Sequence, residues 1–197
     1  MSAWILEALK RSTKDQVVIT PEPEIALALG VRGRPDKIRG AGPLGGLHAA
    51  LNWAQEEGRE GVFLMACDLP MVTGELISRI VEKWPSEAPA ALPGSPGPLG
   101  FEPLCAGYGT AALGAVEELL HGAQRSMDSV LSVLDVVPIP SRELGGDEEL
   151  ELAFTNVNTE EMADRTEALL VGQRESILGE GTYRWGERRA SGTWEVW

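Results

Sequence analysis

Cysteine and histidine are nearly absent from this chain, with two of each among 197 residues. Cys67 and Cys105 lie far apart in apolar, strand-like runs, and neither belongs to a Cys-x-x-Cys or mixed Cys/His cluster. That spacing offers nothing to a metal site, and both read as buried, reduced core thiols of a cytoplasmic protein. His48 and His121 have no serine or cysteine at a spacing that would mark a nucleophile and its base, which argues against nucleophilic catalysis and leaves both as structural residues. Apolar runs are short. None reaches the roughly 18 residues of a membrane span, and Met1-Ser2-Ala3-Trp4-Ile5-Leu6-Glu7 has neither the basic region nor the cleavage pattern of a signal peptide. Positive charge is scarce as well: 17 Lys and Arg against 30 Asp and Glu give a formal net charge of -13. Such a surface repels phosphate backbones and anionic lipid, which disfavours nucleic-acid and membrane-surface binding. The densest basic group before the tail, Arg32, Arg34, Lys37 and Arg39, has two readings: a solvated loop, or a phosphate clamp that helps an anionic substrate arrive.

The most informative stretch runs from Asp36 through Gly42-Pro43-Leu44-Gly45-Gly46-Leu47 to Ala66-Cys67-Asp68-Leu69-Pro70. Gly42, Gly45 and Gly46 lack the Cβ that would block a close approach of backbone to a ligand. Leu44, Leu47, Leu51 and Ala54 follow at helical spacing, so the bend opens a helix whose first N–H groups and partial positive charge suit an anion such as phosphate. Gly61 to Cys67 is a continuous apolar run, the pattern of a parallel strand covered on both faces. It breaks at Asp68, and an acid at the carboxyl end of such a strand is positioned to hold a metal ion. A bare turn and a solvated strand end are the plainer readings of the two pieces.

Strand and helix signals alternate along the rest of the chain, which predicts a doubly wound, mostly parallel α/β sheet built around one core. A short helix carries Trp4, Ile5, Ala8 and Leu9, a strand covers 16–20, a brief helix 24–29 and a strand edge 31–38. Thr73 caps a helix with Leu76, Ile77, Ile80, Val81 and Trp84 on one face. Strands are expected at 88–92 and around 101–108, and a helix over Leu113 to Leu120 ends at Gly122. Ser126 caps a further helix. Val136-Val137-Pro138-Ile139-Pro140 belongs at a sheet edge because proline cannot donate to a ladder. Gly145 to Glu149 reads as loop, and Thr159 begins a last helix through Leu170. Residues 1–171 form the domain. The aromatic tail at 172–197, with Tyr183, Trp185, Trp194, Val196 and Trp197, is a hairpin, a disordered end or a partner contact.

The order of Asp36, Gly-Pro-Leu-Gly-Gly-Leu, helix, apolar strand and Cys-Asp-Leu-Pro resembles the MobA family, the molybdenum cofactor guanylyltransferases within the MobA-like nucleotidyltransferases. The resemblance extends to Pro103-Leu104-Cys105-Ala106-Gly107-Tyr108, to Gly122-Ala123-Gln124-Arg125 and to Asn156-Val157-Asn158. It implies a Rossmann-like fold and transfer of GMP from GTP to molybdopterin, with pyrophosphate leaving. By the same resemblance Asp68 ligates Mg2+ and touches the nucleotide, and Asn158 lies near that metal. Asp36, Gly42, Pro43, Leu44 and Gly45 contact the nucleotide, and Thr20 falls loosely at a family position. Arg125 binds either the pterin or its own loop, and Asn156 and Asn158 have a second reading as helix caps.

The family opens with a strand and a glycine-rich, Lys-bearing loop that holds the triphosphate, and that segment is missing here. Neighbours of the missing inner strand would keep unpaired backbone groups, each costing on the order of 1–3 kcal/mol if buried. Two explanations follow: a natural start further upstream, which we favour because Asp36, Asp68 and Asn158 persist, or a relative that has lost catalysis. On the first, residues 1–197 alone do not turn over. Other readings are a module that holds nucleotide, a molybdoenzyme or its chaperone without turnover, and a transferase using CTP or a sugar phosphate.

Overall fold

The computed structural model describes residues 2–38, 40–159, 161–164 and 166. Helix α1 (Ser2–Leu9) buries Ile5 and Leu6 and leads to strand β1 (Val17–Ile19). Helix α2 (Pro23–Ala28) begins on a proline, whose fixed φ suits a first turn where its missing N–H leaves nothing unpaired. Strand β2 (Arg32–Arg34) returns beside β1, parallel, with Val17 opposite Arg32.

The long helix α3 (Gly42–Glu56) sinks Leu44, Leu47, Leu51 and Ala54 completely, as their spacing requires. Strand β3 (Gly61–Met65) follows. Helix α4 (Gly74–Lys83) starts where Thr73 Oγ1 accepts the Leu76 N–H at 3.2 Å. Strand β4 (Ala90–Pro93), strand β5 (Cys105–Gly109) and helix α5 (Leu113–His121) come next. A 3-10 segment at Met127–Ser132, edge strand β6 (Val136–Ile139) and helix α6 (Asp147–Ala153) complete the order. Residues 161–164 are helical, and Thr159 Oγ1 accepts the Met162 N–H at 3.2 Å.

Two sheets result. One is the β1–β2 pair; the other has the order β3-β5-β4-β6, with β5 antiparallel to both neighbours and β4 parallel to β6. Successive strand residues point to opposite faces, so Leu92, Ala106 and Tyr108 join α3 and α5 in one core layer, while Ala91 and Cys105 join Leu76, Ile77, Ile80, Leu144 and Leu150 in the other. Helices therefore cover both faces, the doubly wound arrangement expected. Pro138 sits on the terminal strand β6, where its missing donor is harmless.

Four expectations need correction. β3 is antiparallel to its neighbour β5 rather than part of a parallel pair, and Phe63, Leu64 and Met65 are only partly covered, because β3 ends its sheet. Cys67 is exposed, since the strand stops at Met65 and the thiol lies in the turn beyond; Cys105 is buried as expected. Asp147 to Glu149 open α6 instead of a loop: three carboxylates in a first turn complement the positive end of a helix, after Gly145 and Gly146 turn the chain at φ +125 and +99. Trp84 has left α4 and lies over Gly61 and Gly107, where an added Cβ would meet its ring at 2.6 and 2.5 Å. The tail at 172–197 lies outside the described residues.

Candidate functional site

Beyond β3 the chain is held by one more ladder bond, from the Ala66 N–H to the Leu104 carbonyl at 2.8 Å, and then turns through Cys67 and Asp68. Asp68 is half-buried, and its Oδ1 is buried with no hydrogen-bond partner. Its carbonyl accepts the Val157 N–H at 2.9 Å, which fixes the loop carrying Asn156 and Asn158 alongside; Val157 is buried and both asparagines are exposed.

A second carboxylate, unforeseen from the sequence, belongs to the same corner. Glu102 Oε1 accepts the Leu104 N–H at 3.1 Å, so the residue that ties down Ala66 also orients Glu102. Burial raises the Glu102 pKa above its ordinary value, and the charge of nearby Asp68 adds to the rise. The available signal was an acid immediately before Pro103-Leu104-Cys105, ahead of the strand that pairs with β3.

The glycines of the bend do different jobs. Gly42 takes φ +61, and a Cβ there would press on the Arg125 carbonyl at 3.3 Å. At Gly45 a Cβ would stand 2.6 Å from the Ala41 Cβ of its own loop, so its bare backbone serves the fold. Gly46 has nothing within 4 Å of a Cβ position. Pro43 and Gly46 line a cleft of about 1120 Å³, whose lining also includes Thr20, Ala66, Cys67 and Asp68. The bend and Asp68 thus share one cavity. The start of α3 has no side-chain cap, which leaves first-turn N–H groups for another acceptor.

Asp36 lies behind this bend, its Cγ 3.9 Å from where a Gly45 Cβ would stand, and its Oδ1 is buried and unpartnered. Burial raises its pKa, and His48 opposes the rise. His48 is itself buried, with Nε2 3.4 Å from Glu117 Oε1 and Nδ1 unpaired. Neither Asp36 nor Leu44 lines the cleft, and Leu44 is fully buried. Thr20 Oγ1 accepts the Glu22 N–H at 3.2 Å. Arg125 donates to the carbonyls of Leu120 at 3.2 Å and Gln124 at 2.8 Å, holding its own loop.

The basic group resolves toward structure. Arg34 pairs with Glu56, Lys37 reaches Glu56 at 3.6 Å, and Arg32 reaches Glu57 at 3.0 Å and stacks 5.3 Å from the Trp53 ring centroid. The bond from Arg34 holds the Glu56 carboxyl below its usual range. Arg39 lies outside the described residues.

Among the described residues no three His, Cys, Asp or Glu side chains converge as a metal cluster. A pair of carboxylates with one unpartnered, buried oxygen nevertheless fits a hard cation that keeps several waters and takes only one or two protein oxygens. Among the described residues, no helix is long and apolar enough to cross a membrane.

Known proteins resemble the chain in sequence and in fold. The family profile described as MobA-like NTP transferase domain matches residues 1–136. A molybdenum cofactor guanylyltransferase of Desulfosudis oleivorans is 28% identical over 168 residues, covering 85% of this chain and 81% of that protein. A probable molybdenum cofactor guanylyltransferase of Pelotomaculum thermopropionicum is 32% identical over 152 residues, covering 77% and 71%. Among solved structures, the molybdopterin-guanine dinucleotide biosynthesis protein A of Archaeoglobus fulgidus superposes with a TM-score of 0.65 at 26% identity, covering 86% of each chain. A putative protein of Aquifex aeolicus shares the fold, with a TM-score of 0.67 at 21% identity. With its Asp68 and glycine bend facing one cleft, the chain belongs to the MobA-like NTP transferase family and is a nucleotidyltransferase.

Proposed function

We propose that the protein transfers GMP from GTP to the phosphate of molybdopterin and releases pyrophosphate. The observation that carries this reading is the shared cleft: Asp68, whose Oδ1 is buried and unpartnered, lines the same cavity as Pro43 and Gly46 at the uncapped start of α3. In such a transfer an oxygen of the acceptor phosphate attacks the α-phosphorus of GTP, a new phosphoanhydride forms, and the bond to pyrophosphate breaks. The chain's share of this is alignment and charge placement, without a covalent intermediate.

The N–H groups at the start of α3 donate to phosphate oxygens. Asp68, with Asn158 beside it on the loop anchored by Val157, would hold Mg2+, and Glu102 supplies further negative charge. When bound, the ion would neutralise phosphate charge that builds up as pyrophosphate departs. In keeping with the family resemblance, the bend at the start of α3, backed by Asp36, is where a preference for guanine would arise. The names of the relatives support GTP and molybdopterin as the substrates, and we place the reaction in the cytoplasm.

Equilibrium binding of GTP, CTP and ATP, with Mg2+ or with EDTA, tests the reading. GTP is expected to bind best, to require Mg2+ and to lose at least about tenfold in affinity, roughly 1.4 kcal/mol, in Asp68→Ala. Binding indifferent to Mg2+ and to Asp68, or a preference for CTP, overturns it.

A further inference from the structure

Behind the glycine bend lie two enclosed polar atoms that the proposed transfer leaves unexplained, Asp36 Oδ1 and His48 Nδ1. His48 is only 7% exposed and stands one turn along α3 from Gly45, whose Cβ position lies 3.9 Å from the Asp36 Cγ. Side chains on a helix lean toward its amino end, so the His48 ring is carried back over that turn, toward Asp36. Its Nε2 lies 3.4 Å from Glu117 Oε1 on α5, which leaves Nδ1 as the unpartnered nitrogen. Asp36 feels the ring: the charge that opposes the effect of burial on its carboxyl is that of His48.

A ring with one proton cannot serve both neighbours. With that proton on Nε2 for Glu117, Nδ1 and the acceptor-only Oδ1 of Asp36 each hold a lone pair and no hydrogen; with it on Nδ1, Glu117 loses its donor. A second proton removes the conflict, because both nitrogens then donate, one to each carboxylate. The surroundings do not compete for it. α3 packs on β1, β3, the 3-10 turn at Thr110–Ala112 and α5, and the first three carry no ionisable side chain. On α5, Glu118 and His121 are exposed. Lys37 donates to Asn52 Oδ1 at 2.9 Å and reaches Glu56, and Asn52 in turn donates to the His48 carbonyl at 2.9 Å. Arg125 is occupied by the carbonyls of Leu120 and Gln124.

We infer that His48 is a positioning residue for guanine recognition: as an imidazolium it bridges Glu117 and Asp36 and holds Asp36 as a fixed carboxylate at the nucleotide bend. The inference rests on the reading that GTP is the donor nucleotide. With Oδ1 taking the Nδ1 proton, Oδ2 is left to accept from the N1–H or the 2-amino group of guanine. Adenine places an acceptor at N1, which a carboxylate repels. An Asp36 that is protonated or free to swing loses that discrimination. The bridge lasts only while the ring keeps its second proton, so the preference for guanine is expected to fall as the pH rises through the range in which imidazole changes charge, about pH 6 to 8.

The test has two arms. Titration of GTP and of ATP, each with Mg2+, into the unaltered chain, His48→Leu and His48→Gln across that pH range reads the ratio of the two affinities. In the unaltered chain the advantage of GTP should shrink as the pH rises. In His48→Leu it should be about tenfold smaller at the acid end, as the loss of a charged hydrogen bond implies, and flat with pH; His48→Gln, which returns one N–H donor, should fall between. The second arm is heteronuclear NMR of the imidazole nitrogens in the unaltered chain with GTP, the exposed His121 being told apart by His121→Gln. Both ring nitrogens of His48 should carry protons at about pH 6. A neutral His48 ring in that complex, an equal loss for both nucleotides in His48→Leu, or a GTP advantage that ignores pH overturns the inference. A chain that binds GTP no better than ATP at any pH removes the guanine reading and this inference with it, whereas a GTP advantage kept whole in His48→Leu removes this inference alone.

Discussion

Val157 donates its backbone N–H to the Asp68 carbonyl at 2.9 Å, so the segment carrying Asn158 is tied to the acid at the mouth of the cleft by one main-chain bond. Val157→Pro deletes that donor and releases the loop. A misplacement of about 1 Å in a positioning element is enough to cost one to two orders of magnitude, so Mg2+-dependent GTP affinity should fall about tenfold or more in isothermal titration. An unchanged affinity would show that Asn158 has no part in the site.

Asp68→Asn separates binding from stability. The Asp68 Oδ1 is buried and unpartnered, and a buried polar oxygen left without a hydrogen bond does not favour the fold. Thermal denaturation without divalent ions should therefore show a melting temperature equal to or above that of the unaltered protein. Titration with GTP and Mg2+ should show binding largely abolished.

Glu102 gives the site a pH signature. Its folded pKa is raised above the ordinary 4.5, first by burial and then by Asp68, so the folded chain holds this proton more tightly than the unfolded one. Its contribution to stability is fully present below about pH 4.5 and is lost as the pH climbs through the raised folded value. Glu102→Gln keeps the oxygen that accepts the Leu104 N–H and cannot ionise. Melts from pH 4 to 8 without divalent ions should find this variant more stable than the parent at pH 7, with the gap closing toward pH 4. A gap independent of pH would contradict the assignment.

Gly107→Ala tests the packing that sets the β3–β5 pair. The new methyl would stand 2.5 Å from the Trp84 ring, and such overpacking costs about 1–3 kcal/mol. Adding Trp84→Leu makes room, so denaturant unfolding of the double variant should show less than the sum of the two single losses. Strict additivity would mean that the ring simply moves aside.

Much of this architecture was legible in the residues because burial has a period. Leu44, Leu47, Leu51 and Ala54 announce α3, and the apolar run ending at Asp68 announces β3. Direction is not written in such a run: Phe63 to Met65 look the same in a parallel or an antiparallel pair, and the partner Cys105 to Gly109 lies about forty residues on. Asp147 to Glu149 were hidden by their own polarity, since acids after two glycines describe a loop as well as a helix start. Arg32 and Arg34 left two readings open because their partners Glu56 and Glu57 lie on another element. Glu102 escaped notice for a related reason: a lone acid acquires meaning only when β5 folds it against Asp68.

The unequal exposure of the two thiols gives this chain a built-in reporter. Cys67 is open to solvent at the cleft wall, whereas Cys105 is wholly enclosed and burial pushes its thiol away from the reactive thiolate form. A chromogenic disulfide reagent should titrate one sulfur per native molecule and two after denaturation. A ligand seated beside Asp68 should slow that first reaction, so occupancy can be followed by eye in a cuvette without any engineered label.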